Sequence, residues 1–284
     1  MERICRHWVS LGMHRFRMIC SEIDGTLLDS NRQLSAATIA AVQRLPADLP
    51  FLLISSRMPA SMRKLQETLG ILHLPLIAYN GSLITDGTSM LYSRAIPTEM
   101  LARMHALNAA KEVHISLYHY DEWLVPQMDY WAEREARNTG IQPQVMPTQE
   151  AIAQWQLQGK GSHKIMCMGD ERPIGRLQEQ LEQHFGDDLH IYRSKPTYLE
   201  ISDRQQDKAA AIQTLLSLKY ADISLSEVLA FGDNHNDTTM LQAVGCGVAV
   251  ANAVEAVQAA ADAVTFSHVE DGVARYLNEL FSFE

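Results

Sequence analysis

The chain has 284 residues, 46% hydrophobic and 20% charged, with a net charge of −10. That length predicts about two domains and a core large enough to stand without disulfide or metal staples. The acidic balance argues against a broad nucleic-acid or anionic-membrane surface, both of which want basic partners.

The first 17 residues carry four arginines and no continuous apolar stretch, so they make no secretory signal. They read as a loose extension (1–17), with an organelle-targeting segment as the other reading and Met18 as a second candidate start. "FRMIC" then reads as a buried strand that runs into "SEIDGTLLD". Residues 35–45 follow as a helix with Ser35 at the N-cap. "PFLLIS" is a second strand, Pro59 to Leu69 a helix, and "PLIAYNG" a third strand ending in a turn.

The middle of the chain has a different texture. "EVHISLYHYDEWLVP" reads as two strands around a polar turn at Asp121-Glu122, with "HKIMCMG" and "LHIYRS" as further strands and helices at about 129–139 and 171–185. His114, His119, Tyr120, Asp121, Glu122 and Trp123 lie on or beside that hairpin. They read first as an ordinary half-exposed strand and second as a substrate-facing set. The "EREAR" helix reads as a solvated face with intrahelical charge pairs. After it come a helix opened near Lys208, the strand "EVLAFGDN", the helix "DTTMLQAV" and the strand "CGVAVA". The breaks at "DGTSM" and "SKPTY" bracket the middle. The expected organisation is therefore a discontinuous α/β core at 18–86 and 197–284, doubly wound on a parallel sheet, with an inserted α/β cap at 87–196.

"GVAVANAVEAVQAAADAV" is broken by polar residues at helical spacing, so no membrane span is expected. Cys20, Cys167 and Cys246 sit in apolar runs, Cys5 lies near the start, and no C-x-x-C pair occurs. The three in apolar runs read as small buried hydrophobes in a reducing, cytoplasmic setting.

Open α/β sheets gather ligands at the carboxyl ends of their strands. Four such ends carry polar groups here: "EIDGT" at 22–26, "SSR" at 55–57, "NG" at 80–81 and "GDNHND" at 232–237. Lys208 adds a cation. Glu22, Asp24 and Asp233, with Asp237 behind them, form an oxygen-rich set suited to Mg2+. Hydroxyl, guanidinium and ammonium groups beside it suit phosphate oxygens. The chemistry implied is phosphoryl transfer. Taken singly, Asp-Gly-Thr is a common turn, Ser55-Ser56 a strand-to-helix cap, Asn80-Gly81 a turn and Lys208 a solvated helix residue; order and spacing together carry the reading.

That set resembles the haloacid dehalogenase superfamily of phosphohydrolases, in its Cof-type branch with a large α/β cap (subfamily IIB), over residues from about 18 to 284. "EIDGTLL" stands where the family has Asp-x-Asp-Gly-Thr-Leu-Leu, and "SSR" where it has Thr/Ser-Gly-Arg. "YNG", Lys208, "FGDNHND" and "VEDGVA" occupy its remaining motif positions. The resemblance implies a Mg2+-dependent phosphoric monoester hydrolase acting on a small phosphorylated metabolite, a sugar phosphate being the first expectation. Position 22 would be the nucleophile that forms an acyl-phosphate. Asp24 would be the general acid and base. Glu22, the Asp24 carbonyl and Asp233 would hold the metal, with Asp237 supporting through water. Ser55 and Lys208 would bind the transferring phosphoryl group, and Thr26, Arg57, Asn80, Gly81 and Asn236 would border the substrate.

Two positions depart from the family pattern. Glu22 stands where the family has aspartate, which extends the carboxylate by one methylene, roughly 1.5 Å of bond length. Ser56 replaces the usual glycine. An active enzyme slowed by Glu22, a catalytically silent Mg2+ and phosphometabolite binder, and a variant chain made to trap substrate are the competing explanations. A phosphomutase is a further alternative. Oligomeric state has no signature in the sequence.

Overall fold

The computed structural model describes residues 16–108, 110 and 112–281. Most of the extension expected at 1–17, residues 1–15 with Cys5 among them, lies outside the described residues. The chain divides into two compact units. The first takes the described residues of Met1–Arg57, Met62–Tyr92 and Asp207–Glu284; the second takes Met58–Ser61 and Ser93–Gln206.

The first unit is built on an eight-stranded sheet. Its strands are β1 (Met18–Ser21), β2 (Phe51–Ile54), β3 (Leu76–Ala78), β4 (Leu83–Asp86), β5 (Ser89–Ser93), β12 (Val228–Gly232), β13 (Cys246–Val250) and β14 (Ala263–Thr265), in the order β14-β13-β12-β1-β2-β3-β4-β5. Neighbours from β14 to β3 are parallel, and β4 turns back antiparallel on β3. β1, β2, β12 and β13 are buried along their whole length. That burial is why they read as continuous apolar runs without alternation. Parallel neighbours need crossovers, which α1 (Ala36–Gln43), α2 (Pro59–Leu69), α8 (Thr238–Ala243) and α9 (Glu255–Ala260) supply. Ser35 caps α1, its side chain accepting from the Thr38 N–H. α7 (Lys208–Lys219) leads into β12, and α10 (Gly272–Leu280) closes the unit.

Winding proceeds outward from β1 through β2 and β3 on one side, and from β12 through β13 and β14 on the other. The direction reverses between β1 and β12, whose ends meet at Ser21 and Phe231. Such a switch point is where a doubly wound sheet leaves a crevice for ligands.

The second unit holds a six-stranded sheet of β6 (His114–His119), β7 (Glu122–Val125), β8 (Gln144–Val145), β9 (Lys164–Met168), β10 (Leu189–Lys195) and β11 (Tyr198–Asp203), in the order β10-β11-β9-β6-β7-β8. All its pairs are antiparallel except β7 with β8. Helices α3 (Thr98–Leu107), α5 (Thr148–Leu157) and α6 (Glu171–Phe185) send Leu101, Met104, Trp155, Leu177 and Leu181 into one core with Ile115, Leu117, Ile165 and Cys167 of the sheet. α4 (Tyr130–Thr139) is capped by Asp129, whose carboxylate accepts from the N–H groups of Trp131 and Ala132.

The unit boundaries fall later than the breaks in the sequence at 87 and 196–197. The "DGT" turn joins β4 to β5 inside the first sheet, and the "KPT" turn joins β10 to β11 inside the second. Pro, Gly and Ser mark hairpins as readily as domain edges. The half-exposed strand expected at "HISLYH" is also corrected: β6 is buried at every position but its last. Cys20, Cys167 and Cys246 are buried. Among the described residues no helix is long and apolar enough to cross a membrane.

Candidate active site

The polar strand ends of the first unit converge at the switch point. β1 delivers Glu22, whose N–H donates to the Phe231 carbonyl at 3.0 Å and which is only 5% exposed. Its Oε1 accepts from Ser55 Oγ at 2.8 Å, and its Oε2 accepts from Lys208 Nζ. Lys208 is the first residue of α7 and fully buried, and it also donates to Asp237 Oδ1. A single ammonium thus lies between two buried carboxylates. Burial works against the charged lysine, but Asp237 and then Glu22 outweigh it and raise its pKa, so Lys208 stays charged. Burial raises the Glu22 pKa; Lys208 opposes that rise and Asp237 adds to it.

Asp237 spends its other oxygen on its own turn, where Oδ2 accepts from the N–H groups of Asp233 and Asn234, both at 3.0 Å. Asp233 sits against the loop after β1. Thr26 Oγ1 donates to its Oδ1 at 2.7 Å, and a Cβ built on Gly25 would meet its Oδ2 at 2.5 Å. Gly25, at φ 78°, is therefore required both for the turn and for the close approach. Burial, with Asp237 and Glu22 as like charges, pushes the Asp233 carboxyl up to about 7, against the Thr26 bond and Lys208.

Asp24 is only two residues from Glu22 and has the opposite environment. Its Oδ2 accepts from Arg57 Nε at 2.6 Å, and its Oδ1 accepts from Arg57 Nη2 at 2.7 Å and Arg32 Nη2 at 3.1 Å. Burial pushes its pKa up, yet the bonds and charge of Arg57, reinforced by Arg32, win and hold it below the usual carboxylate value.

Asn80 and Gly81 form the turn after β3. The Asn80 N–H donates to the Ser55 carbonyl at 2.9 Å, and its Oδ1 accepts from Asn236 Nδ2 at 3.1 Å. Gly81, at φ 105°, lies so close to α7 that a Cβ would meet Ala211 Cβ at 2.6 Å and the Asp207 carbonyl at 2.9 Å. It sets the spacing between this turn and the helix that carries Lys208.

The structure thus brings Glu22, Ser55, Lys208 and Asp237 into one buried network. Asp233 and Thr26 stand beside it, Asp24 with Arg57 forms a second cluster, and Asn80 with Asn236 a third. The four carboxylates Glu22, Asp24, Asp233 and Asp237 do not face one point. Among the described residues no group of three or more His, Cys, Asp or Glu side chains is arranged to hold a metal ion. Arg57 and Arg32 draw away the Asp24 carboxylate, while Lys208 and two backbone N–H groups engage Asp237.

Two residues escaped the sequence reading. Arg32 reaches Asp24 from the loop before α1. Asn252, just past β13, donates to the Gly25 carbonyl at 2.8 Å and accepts from the His268 N–H at 2.9 Å. Asn252 had a readable signal, since it follows "GVAVA" as an amide at one more parallel strand end.

A profile of haloacid dehalogenase-like hydrolases matches residues 19–277. The chain belongs to that family, and its fold is similar to that of a solved subclass IIB sugar phosphatase, with a TM-score of 0.77 at 22% identity over 93% of this chain and 99% of that one. By class it is a phosphoric monoester hydrolase. It is similar to the 5-amino-6-(5-phospho-D-ribitylamino)uracil phosphatase of Bacillus subtilis, with 25% identity over 93% of this chain and 97% of that one. Similarity to the HMP-PP phosphatase of Yersinia enterocolitica is 27% identity over 94% and 96%. A solved haloacid dehalogenase-like hydrolase from Bacteroides thetaiotaomicron superposes with a TM-score of 0.84 at 25% identity, over 94% of this chain and 100% of that one.

Proposed function

We propose that the chain hydrolyses a small phosphorylated metabolite in two steps through an acyl-phosphate on Glu22, in the cytoplasm. The observation that carries this reading is the Ser55–Glu22–Lys208 contact, a buried carboxylate bonded to the hydroxyl and ammonium that suit phosphoryl oxygens. The names of the relatives, a ribitylaminouracil phosphatase and an HMP-PP phosphatase, support a small metabolite as substrate.

Glu22 attacks phosphorus while Asp24, which first takes up a proton against the pull of Arg57 and Arg32, gives that proton to the departing oxygen. Asp24 then takes a proton from the water that opens the acyl-phosphate. Ser55 and Lys208 hold phosphoryl oxygens as charge builds on them, and Asp237 holds Lys208. Asn236 and Asn80 brace each other at the rim.

Magnesium fits the residues present, though through fewer side chains than four. Burial, with the like charges of Asp237 and Glu22, raises the pKa of Asp233 to about 7, a deficit of positive charge that a divalent cation would remove. Mg2+ uses one or two carboxylates and keeps several waters. Glu22, Asp233 and the Asp24 carbonyl would hold it, and it would neutralise charge on the phosphoryl group. The names of the relatives, which are phosphatases, favour an enzyme over a silent binder.

The longer arm of Glu22 reaches the groups that phosphate must reach. A displacement of about 1 Å costs roughly a hundredfold in rate where alignment governs catalysis, so the expected turnover is slow. Phosphate release over a panel of phosphorylated metabolites, with and without millimolar Mg2+, tests the reading. It predicts Mg2+-dependent release from at least one compound; tight binding across the panel without release from any would overturn it.

A further inference from the structure

Asp24 accepts three hydrogen bonds from two guanidiniums. Arg57 engages each carboxylate oxygen once, and Arg32 adds a second donor to Oδ1. Arg57 follows β2 and belongs to the strand-end set. Arg32 has no such reason to be there, because it stands on an exposed loop with its side chain 51% exposed.

Its backbone lies at φ 61°, the left-handed region that a residue with a Cβ occupies only when its surroundings hold it. The surroundings do hold it. Asp29 Oδ1 accepts from the N–H groups of Asn31 and Gln33 at 2.8 and 2.9 Å. The Arg32 N–H donates to the Asp29 carbonyl at 3.0 Å, and the Asp29 N–H donates to the Gln33 carbonyl at 2.9 Å. The turn closes on Asp29, and its left-handed member is the one that reaches back to Asp24. Holding a long side chain on an exposed loop costs rotamer freedom, and an exposed ion pair returns little stability by itself. Stability therefore does not account for the arrangement.

We infer that Arg32 is a positioning residue for the Asp24 carboxylate, completing with Arg57 a guanidinium clamp that engages both oxygens and fixes the orientation of the group. In the first half-reaction the protonated Asp24 carboxyl gives its proton to the leaving oxygen as the ester P–O bond breaks. In the second, the carboxylate takes a proton from the water whose oxygen attacks phosphorus. Arg32 exchanges no proton; it fixes the direction along which Asp24 does. The inference rests on the acid–base role proposed above for Asp24.

The test is a kinetic cycle with Arg32→Ala, Arg32→Lys, Asp24→Ala and the Arg32→Ala/Asp24→Ala pair, using p-nitrophenyl phosphate and Mg2+. It is run on the chain as it stands and on its Glu22→Asp version. The expected result for Arg32→Ala is a fall in kcat of about tenfold, a fraction of the roughly hundredfold that a 1 Å misalignment costs, with KM changed less than about twofold. Arg32→Lys restores part of the loss, and Arg32→Ala costs nothing further once Asp24 is alanine. An equal loss in both Asp24 backgrounds, or a loss confined to KM, overturns the inference while leaving the acid–base reading intact. An unchanged kcat in Asp24→Ala, or no turnover in either version, overturns that reading and the inference with it.

Discussion

The two units use polar side chains in opposite ways. In the second, His114, His119 and His163 are satisfied by their own surroundings. His163, fully buried, accepts at Nδ1 from the Tyr120 N–H at 3.1 Å and meets Ser93 Oγ through Nε2 at 2.9 Å. His119 Nδ1 donates to the Gly161 carbonyl at 2.7 Å, and its ring stacks on His163 with centroids 4.7 Å apart. His114 meets Asp129 and Ser116 through its two nitrogens, and Glu122 accepts from Trp155 Nε1 and Lys160. In the first unit, buried carboxylates crowd one ammonium, and Asp233 is left with a pKa near 7. The comparison separates polar groups that complete a fold from polar groups held ready for something outside it.

The largest effect that would break this contrast is at Lys208. Lys208→Met leaves two buried carboxylates facing each other, which costs about 3–5 kcal/mol of stability, seen as a lowered melting temperature. It also abolishes measurable phosphate release. A melting temperature equal to that of the parent would mean that the network is not what holds Glu22 and Asp237 together.

Glu22→Asp comes next. Shortening the arm should raise Mg2+-dependent phosphate release by up to about a hundredfold, and a rate unchanged or lower would show that glutamate is the length this site needs.

His163→Gln sharpens the other side. It should cost about 1–3 kcal/mol through a lost buried hydrogen bond and leave phosphate release unaltered. Burial, assisted by the neighbouring His119, pushes the His163 pKa down to about 3. A depressed pKa means that the unfolded chain binds the proton more readily, so this contribution is complete above about 6.5 and fades as pH falls towards 3. Denaturant titrations across that window should show a shallower pH slope in the variant; an identical slope would remove His163 from the account.

The smallest effect is at Glu133, whose exposed pair with Arg137 spans 3.7 Å on α4. Glu133→Ala should move stability by no more than about 0.5 kcal/mol.

Legibility followed the same division. α2 has the bounds expected from its Pro start and helical spacing, Ser35 caps α1, and Lys208 opens α7. Parallel strands buried on both faces print themselves as apolar runs, and their polar ends stand out. The second unit's elements were harder. α3 and α5 each follow a proline, Pro97 and Pro147, a start signal that the sequence reading passed over, and β5 is mostly exposed and shows no alternation. The turns at 87 and 196 had the composition of domain edges. Arg32 was invisible for a different reason: an arginine in a loop is ordinarily solvated, and only the closed turn on Asp29 aims it at Asp24.

The most direct measurement is acid-quenched mass spectrometry during turnover of a phosphorylated substrate with Mg2+ present. One phosphoryl group on the peptide carrying Glu22, absent without Mg2+, is the result this account predicts. A phosphoryl group on any other residue, or release of phosphate with none on the protein at any time, would contradict it.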